Sequence, residues 1–171
     1  AIDEAVDFGK LDPADYAAEW KWDGIRVQAV NEEGIRRLYT RNGDDISKTF
    51  PDVLEVLDFE GALDGELLVM GDDGVASFGD LQQRLNRKTV DPKLMARHPA
   101  GIRAYDLLAE TGEDTRILSF RDRRVRLEAF VGRLATPRID LSPLQPFETW
   151  AELAALRASP PPGDPLYLQT R

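Results

Sequence analysis

Apolar and polar residues alternate over residues 20–30 and again over 35–40, with Asn31-Glu32-Glu33-Gly34 between the two runs. A period of two is the mark of a half-buried strand, and so short a link lets two strands pair only antiparallel. The pattern continues through a second turn, Arg41-Asn42-Gly43-Asp44-Asp45, to a third strand over 62–70. Gly71-Asp72-Asp73-Gly74 then leads to a fourth strand over 75–78, and another runs over 102–108. Helices interrupt rather than alternate with these strands. A short one opens at Phe50-Pro51-Asp52 and ends near Leu57, and a second covers 81–86. A longer one over 118–134 carries Leu118, Val125, Leu127, Phe130, Val131 and Leu134 at helical spacing. Residues 137–147 read as extended and 148–158 as a helix, with Thr149 or Ser142 as its cap. Without regular strand–helix–strand units, the class is α+β with mainly antiparallel sheets.

Composition narrows the chemistry. The chain has 171 residues, enough for one domain with a substantial core, and no cysteine, which excludes disulfides, thiolate metal sites and thiol catalysis. A reducing, cytoplasmic setting fits that usage. No apolar run is long enough to span a bilayer, so no membrane partner is expected. A net charge of −9 argues against a free-standing nucleic-acid binder, yet 17 of the 22 cationic residues are Arg. Arg121, Arg123, Arg124 and Arg126 form one cluster; Arg84, Arg87 and Lys88 form another. Arg forks well onto phosphate, but the plainer reading of either cluster is a solvated helix face. His98, beside Pro99 in a loop, reads as a surface residue with no catalytic part.

Three short runs carry candidate chemistry. In Glu19-Trp20-Lys21-Trp22-Asp23-Gly24-Ile25-Arg26, alternation sets Glu19, Lys21 and Asp23 on one face, opposite Trp20 and Trp22. A charged hairpin at Asp23-Gly24 would explain this. Two tryptophans around one lysine point instead to a partly desolvated amine, able to act as a nucleophile. In Leu63-Asp64-Gly65-Glu66-Leu67-Leu68-Val69, two carboxylates share one face of an apolar strand, a costly placement unless they are paired, solvated or bound to a ligand or metal. In Ala104-Tyr105-Asp106-Leu107-Leu108 the Tyr105 ring is either core or a platform for a base.

Taken in order, these runs resemble the motifs of the covalent nucleotidyltransferases, which include DNA ligases, RNA ligases and mRNA-capping enzymes. Lys21-Trp22-Asp23-Gly24-Ile25-Arg26 resembles their K-x-D-G-x-R motif, and Thr40-Arg41-Asn42-Gly43 followed by Phe50-Pro51 resembles the next. Leu63-Asp64-Gly65-Glu66 and Ala104-Tyr105-Asp106-Leu107-Leu108 are similar to the two after that. Ser77-Phe78-Gly79-Asp80-Leu81-Gln82-Gln83-Arg84-Leu85 is similar to a segment typical of ATP-dependent DNA ligases. The resemblance implies an ATP-grasp-like adenylation domain over 1–171: two mainly antiparallel sheets with flanking helices and a nucleotide cleft between them. It implies that Lys21 attacks the α-phosphate of ATP to form lysyl-AMP, with Mg2+ or Mn2+ assisting. It further implies that Glu19 reads adenine beside Trp20, that Arg26 contacts the sugar-phosphate, that Arg41 holds a phosphate of AMP or of the nicked strand, and that Glu66 binds ribose hydroxyls or helps place the metal. Tyr105 would stack on adenine where the family usually has Phe, and Asp23, Gly24 and Asp64 would support the site. The implied partner is nicked duplex DNA, sealed by a monomeric enzyme that carries a following OB-fold domain. The alternatives are an RNA ligase, a capping guanylyltransferase or a non-catalytic nucleotide-binding fragment.

The family's next motif, a strand with Glu-Gly and a terminal Lys, should follow the last helix. Pro160-Pro161-Pro162-Gly163 stands there instead, and Asp164-Pro165-Leu166-Tyr167-Leu168 resembles the family's sequence beyond that strand. The domain therefore reads as incomplete at its C-terminal end, and a spatial break in the backbone is expected near residues 160–163.

Overall fold

The computed structural model describes residues 8–71, 74–85, 87, 90–160 and the backbone of 167–170. Residues 161–163, Asp164 and Lys88 lie outside the described residues, and with them the expected backbone break. The chain divides into two compact units, Ala1–Trp22 with Ser142–Arg171, and Asp23–Leu141.

The smaller unit begins with strand β1 (Ala18–Lys21). The single strand expected over 20–30 is in fact two, because the backbone bends at Trp22-Asp23-Gly24 before β2 (Ile25–Glu32) starts the larger unit. A turn with Gly34 at φ +79, a backbone conformation that L side chains resist, returns the chain as β3 (Ile35–Thr40). Pro51 sits in the first turn of helix α1 (Pro51–Leu54), where its missing N–H costs nothing. Strand β4 (Gly61–Gly71) follows, then the two-residue β5 (Gly74–Val75). The fourth strand expected over 75–78 is thus cut short, because Phe78 already belongs to helix α2 (Phe78–Leu85). Helix α3 (Pro92–Arg97), capped by Asp91, had no clear apolar period to announce it. Then come β6 (Ala100–Glu110), β7 (Glu113–Asp114), the long helix α4 (Phe120–Leu134) and β8 (Ile139–Leu141).

These strands make one sheet of order β3-β2-β4-β6-β7, with β5 on β4 and β8 on β6. Every pairing is antiparallel except β6 with β8. The core joins Val27, Ala29, Leu63, Leu67, Ile102 and Leu107 of the strands to Phe50 and Val53 around α1, and to Leu127, Phe130 and Val131 of α4. Helix α4 starts where the Ser119 hydroxyl accepts the Asp122 N–H, a standard N-cap. Its arginine cluster is spent on the chain's own carboxylates: Arg123 forks onto Asp106 at 2.8 and 2.9 Å, Arg124 reaches Glu128 and Arg126 reaches Glu113. The solvated-face reading therefore fails for Arg123 and Arg124, which are largely covered, and holds for Arg121 and Arg126.

It fails outright for Arg84, which is fully buried. Its guanidinium donates to both oxygens of Asp52 at 2.9 and 2.6 Å, and to the carbonyls of Thr49 and His98, with Phe50 stacked 4.6 Å away. Arg138 adds a third charge at 3.0 Å from Asp52. His98 is no surface residue either: its ring is 12% exposed and lies 3.4 Å from Asp80.

In the smaller unit, β1 pairs with β9 (Leu144–Gln145) on one side and with β10 (Tyr167–Thr170) on the other, both antiparallel. Helix α5 (Trp150–Ala158) opens with a capping box between Thr149 and Glu152, so Thr149 is the cap and Ser142 is not. Trp150 stacks on Phe8 at 4.2 Å, touches Tyr16 and Phe147, and donates its indole N–H to the Leu11 carbonyl. Among the described residues no helix is long and apolar enough to cross a membrane.

Removing the Arg84 guanidinium leaves Asp52 buried with Arg138 alone, and breaking a buried pair in this way costs about 3–5 kcal/mol. Arg84→Met is therefore expected to lower the unfolding free energy by about that amount in urea titration. Arg84→Lys should rescue little, since an ammonium cannot fork. A loss below about 1 kcal/mol for Arg84→Met would show the pair to be dispensable.

Candidate nucleotide and catalytic site

The site residues foreseen in the sequence fall on both units. Glu19, Trp20 and Lys21 lie on β1 of the smaller one. Glu19 and Trp20 are both buried, at 3% and 6% exposure, whereas Lys21 is exposed. The expectation of a lysine desolvated between two tryptophans is thus corrected. Trp20 is buried and leaves Lys21 exposed, and Trp22 donates its indole N–H to the Ser142 hydroxyl at 3.1 Å. Glu19 is likewise no surface charge.

In the larger unit, Asp23 is exposed and Gly24 is held by close approach. A Cβ on Gly24 would stand 2.4 Å from the Leu67 carbonyl oxygen and 2.7 Å from the Leu68 side chain. Only glycine lets the chain press onto β4 here and carry Ile25 and Arg26 into register with Leu67 and Glu66. Gly65 is similarly tight, with Ile102 Cγ2 at 2.7 Å and the Arg103 carbonyl at 2.8 Å from a Cβ.

The cost of carrying two carboxylates on β4 is resolved differently for each. Asp64 is buried and accepts a two-pronged bond from Arg26, Nε at 3.1 Å and Nη2 at 2.6 Å. That bond is the largest reason the Arg26 guanidinium holds its proton even more firmly than usual. Burial opposes it, and the charges of Asp64, Tyr105 and Glu66 add to it. Glu66 is half-buried and occupies the middle of a row. Arg26 of β2, Glu66 of β4, Arg103 of β6 and Asp140 of β8 are successive cross-strand partners, alternating in charge. Directly opposed residues of neighbouring strands share a face and interact. Arg103 and Asp140 are joined by two bonds of 3.0 and 2.7 Å.

A register shift falls at Tyr105: the ladder between β4 and β6 passes from Asp64↔Asp106 to Gly65↔Ala104, which makes Tyr105 the extra residue. The Tyr105 ring ends 5.9 Å from the Arg26 guanidinium carbon and is 7% exposed. Asp106, its neighbour, serves packing by holding Arg123.

Arg41 is exposed at the β3 turn, and with Arg26, Gln28 and Thr40 it lines an open depression of about 400 Å3. Two guanidinium-bearing residues converging on one hollow suit a phosphate-bearing ligand. Arg26, Asp64, Glu66 and Tyr105 thus come together on one sheet, with Arg41 beside Arg26. Arg103 and Asp140 escaped the sequence reading. The signal was one arginine inside the apolar run Gly101-Ile102-Arg103-Ala104. Among the described residues no group of three or more acidic or histidine side chains could cage a metal ion.

Residues 2–158 match the family described as ATP dependent DNA ligase domain. A probable DNA ligase of Opitutus terrae is 38% identical over 70% of this chain, and a DNA ligase of Haloarcula marismortui is 35% identical over 71%. The chain spans only 12% of the first and 23% of the second. Among solved structures, the ligase domain of LigD from M. tuberculosis is 27% identical with a TM-score of 0.65, over 86% of this chain and 46% of that one. A mycobacterial DNA ligase D complexed with ATP is 30% identical with a TM-score of 0.64, over 85% and 45% of the two chains.

The fit at Gly24 is testable apart from any activity. Gly24→Ala forces a methyl group against backbone, and such overpacking costs about 1–3 kcal/mol. The substitution is expected to destabilise by that much in thermal or urea unfolding. A neutral result would mean that β2 does not approach β4 as closely as described.

Proposed function

Because the chain belongs to the family of ATP-dependent DNA ligase domains, we propose that it carries out the adenylation half-reaction of such an enzyme. The Lys21 amine, deprotonated, attacks the α-phosphate of ATP. A P–N bond forms, the bond to the β-phosphate oxygen breaks, pyrophosphate leaves, and AMP remains on Lys21 as a phosphoramidate. In the whole enzyme the AMP then passes to the 5′-phosphate of a nick in duplex DNA, and the 3′-hydroxyl displaces it as the strand is sealed.

The observation that carries this reading is the meeting of Arg26, Asp64, Glu66 and Tyr105 on one sheet of a chain whose residues 2–158 match the family. Nucleotidyl transfer depends on positioning and charge neutralisation more than on elaborate covalent chemistry. Arg26, locked by Asp64, supplies fixed positive charge for sugar-phosphate, and Arg41 supplies charge for a phosphate of AMP or of the nicked strand. Glu66 takes the ribose hydroxyls or a divalent cation, Mg2+ or Mn2+. A cation that arrives on a triphosphate keeps most of its waters and needs only one or two carboxylates, so a site without a three-carboxylate cage suits it. When bound, it would reduce the charge repelling the incoming amine. Glu19, buried on β1, accepts a hydrogen bond from the adenine amino group, with Trp20 at its side. Guanine would present a carbonyl to that carboxylate, acceptor against acceptor. Asp23 and Gly24 set the bend between Lys21 and Arg26. Tyr105 supplies the aromatic surface for the base.

The chain would act as the adenylation domain of a longer, monomeric cytoplasmic enzyme that adds an OB-fold domain and closes on DNA. The matched region supports this, covering under a quarter of either curated relative.

Incubating the chain with ATP and Mg2+ should add one AMP to its intact mass, and peptide mapping should place the adduct on Lys21. Lys21→Ala should lose the adduct, and GTP should give none. A chain that stays unmodified with ATP would refute self-adenylation. Equal labelling by GTP would refute the role given to Glu19.

A further inference from the structure

Arg103 has no part in the roles above, yet it stands in the middle of the site's sheet. It lies directly opposite Glu66 on one side and directly opposite Asp140 on the other. Its side chain is largely covered, at 17% exposure, and Asp140 takes two of its five N–H donors at 3.0 and 2.7 Å. A fork held at two points has little freedom left, so its charge is fixed in place at no further entropic cost. Among the described residues, the strand that brings Asp140 is the one parallel strand of the sheet, and its register sets Asp140 against Arg103.

We propose that Arg103, clamped by Asp140, is a positioning residue for Glu66. Together with Arg26 on the other flank, it holds the Glu66 carboxylate in one orientation. Arg26 and Arg103 on either side, Asp64 two residues away on β4 and Asp140 beyond Arg103 are the charged groups of that face. Asp64 is committed to Arg26 and Asp140 to Arg103. Glu66 therefore sits between two cations, each already steadied by a carboxylate of its own. The proposal rests on the reading that Glu66 handles the nucleotide's ribose.

One comparison on the full chain separates the inference from that reading: the affinities for ATP and 2′-deoxyATP. Wild type should prefer ATP by roughly tenfold, the worth of one charge-assisted hydrogen bond. Glu66→Gln should erase the preference, and Arg103→Met should erase it in part with no further loss when the two are combined. Arg103→Lys should restore most of the preference, and Asp140→Asn should lower it less than Arg103→Met does. If Arg103→Met does not fold by circular dichroism, Asp140→Asn, altered at a half-exposed position, carries the test. A preference unchanged in both Arg103→Met and Asp140→Asn, or an additive double variant, overturns the inference while leaving the Glu66 reading intact. A preference for ATP that survives Glu66→Gln overturns the Glu66 reading itself, and the inference falls with its premise.

Discussion

The pairing of Arg84 with Asp52 is the contact on which the larger unit turns. It joins elements that share little else: the end of α2, the start of α1, the loop carrying His98 and the approach to β8 through Arg138. Arg138 also donates to the Ala100 carbonyl, while its own carbonyl accepts the Ile102 N–H at 2.7 Å. Those two bonds lay the start of β8 along β6, and three residues of parallel register follow. Asp140 faces Arg103 because of that register. A buried ion pair is weak evidence of net stability, since desolvating two charges costs much of what their attraction returns. Its value here is geometric, because guanidinium and carboxylate accept only a narrow range of mutual orientations.

The same pair changes the meaning of the segment from Ser77 to Leu85. In sequence it is the stretch that most specifically resembles DNA ligases, and an arginine there invites a phosphate-binding role. Arg84 has no exposure with which to fill one. A signature can therefore record how a family folds rather than what it binds. The arginines of α4 make the same point, with Arg123, Arg124 and Arg126 each matched to a carboxylate of the chain. Counting cations in sequence overstated the charge available to a ligand. Arg41, exposed, and Arg26, half-exposed, are of a different kind, since both border one open hollow.

What could be read from the sequence was set by local rules. Strands announced by alternation and bounded by Gly or Asn-Gly turns came out within a residue or two, as at β3, β4 and β6. The capping box at Thr149 and the cap at Ser119 are written in the residues themselves. What could not be read was long-range. Alternation through 20–30 hid the bend, although Asp23-Gly24 offered a turn there, and the close approach of Gly24 to Leu67, 43 residues later, lay beyond any local pattern. The lysine between two tryptophans looked desolvated because neighbours in sequence were taken as neighbours in space. Trp22 bonds instead to Ser142, 120 residues away. The shift at Tyr105 is a matter of register between β4 and β6, and no single strand encodes its own register.

The bend after Lys21 divides the run Lys21-Trp22-Asp23-Gly24-Ile25-Arg26. Its six residues belong to two units: Lys21 and Trp22 close the first stretch of the smaller one, and Asp23 opens the larger. The chain leaves the smaller unit at Trp22 and re-enters it at Ser142, and the bond of 3.1 Å between those two side chains ties the exit to the return. On the far side of the bend, Gly24 allows Arg26 to land opposite Glu66 with its guanidinium on Asp64. One residue more or fewer between Gly24 and Arg26 would turn Arg26 to the other face of β2, since strand side chains alternate. Asp64 would then be a buried carboxylate with no cation. Three features thus meet in six residues: an exposed lysine at a strand end, a glycine that fits under Leu67, and an arginine in phase with the carboxylates of β4.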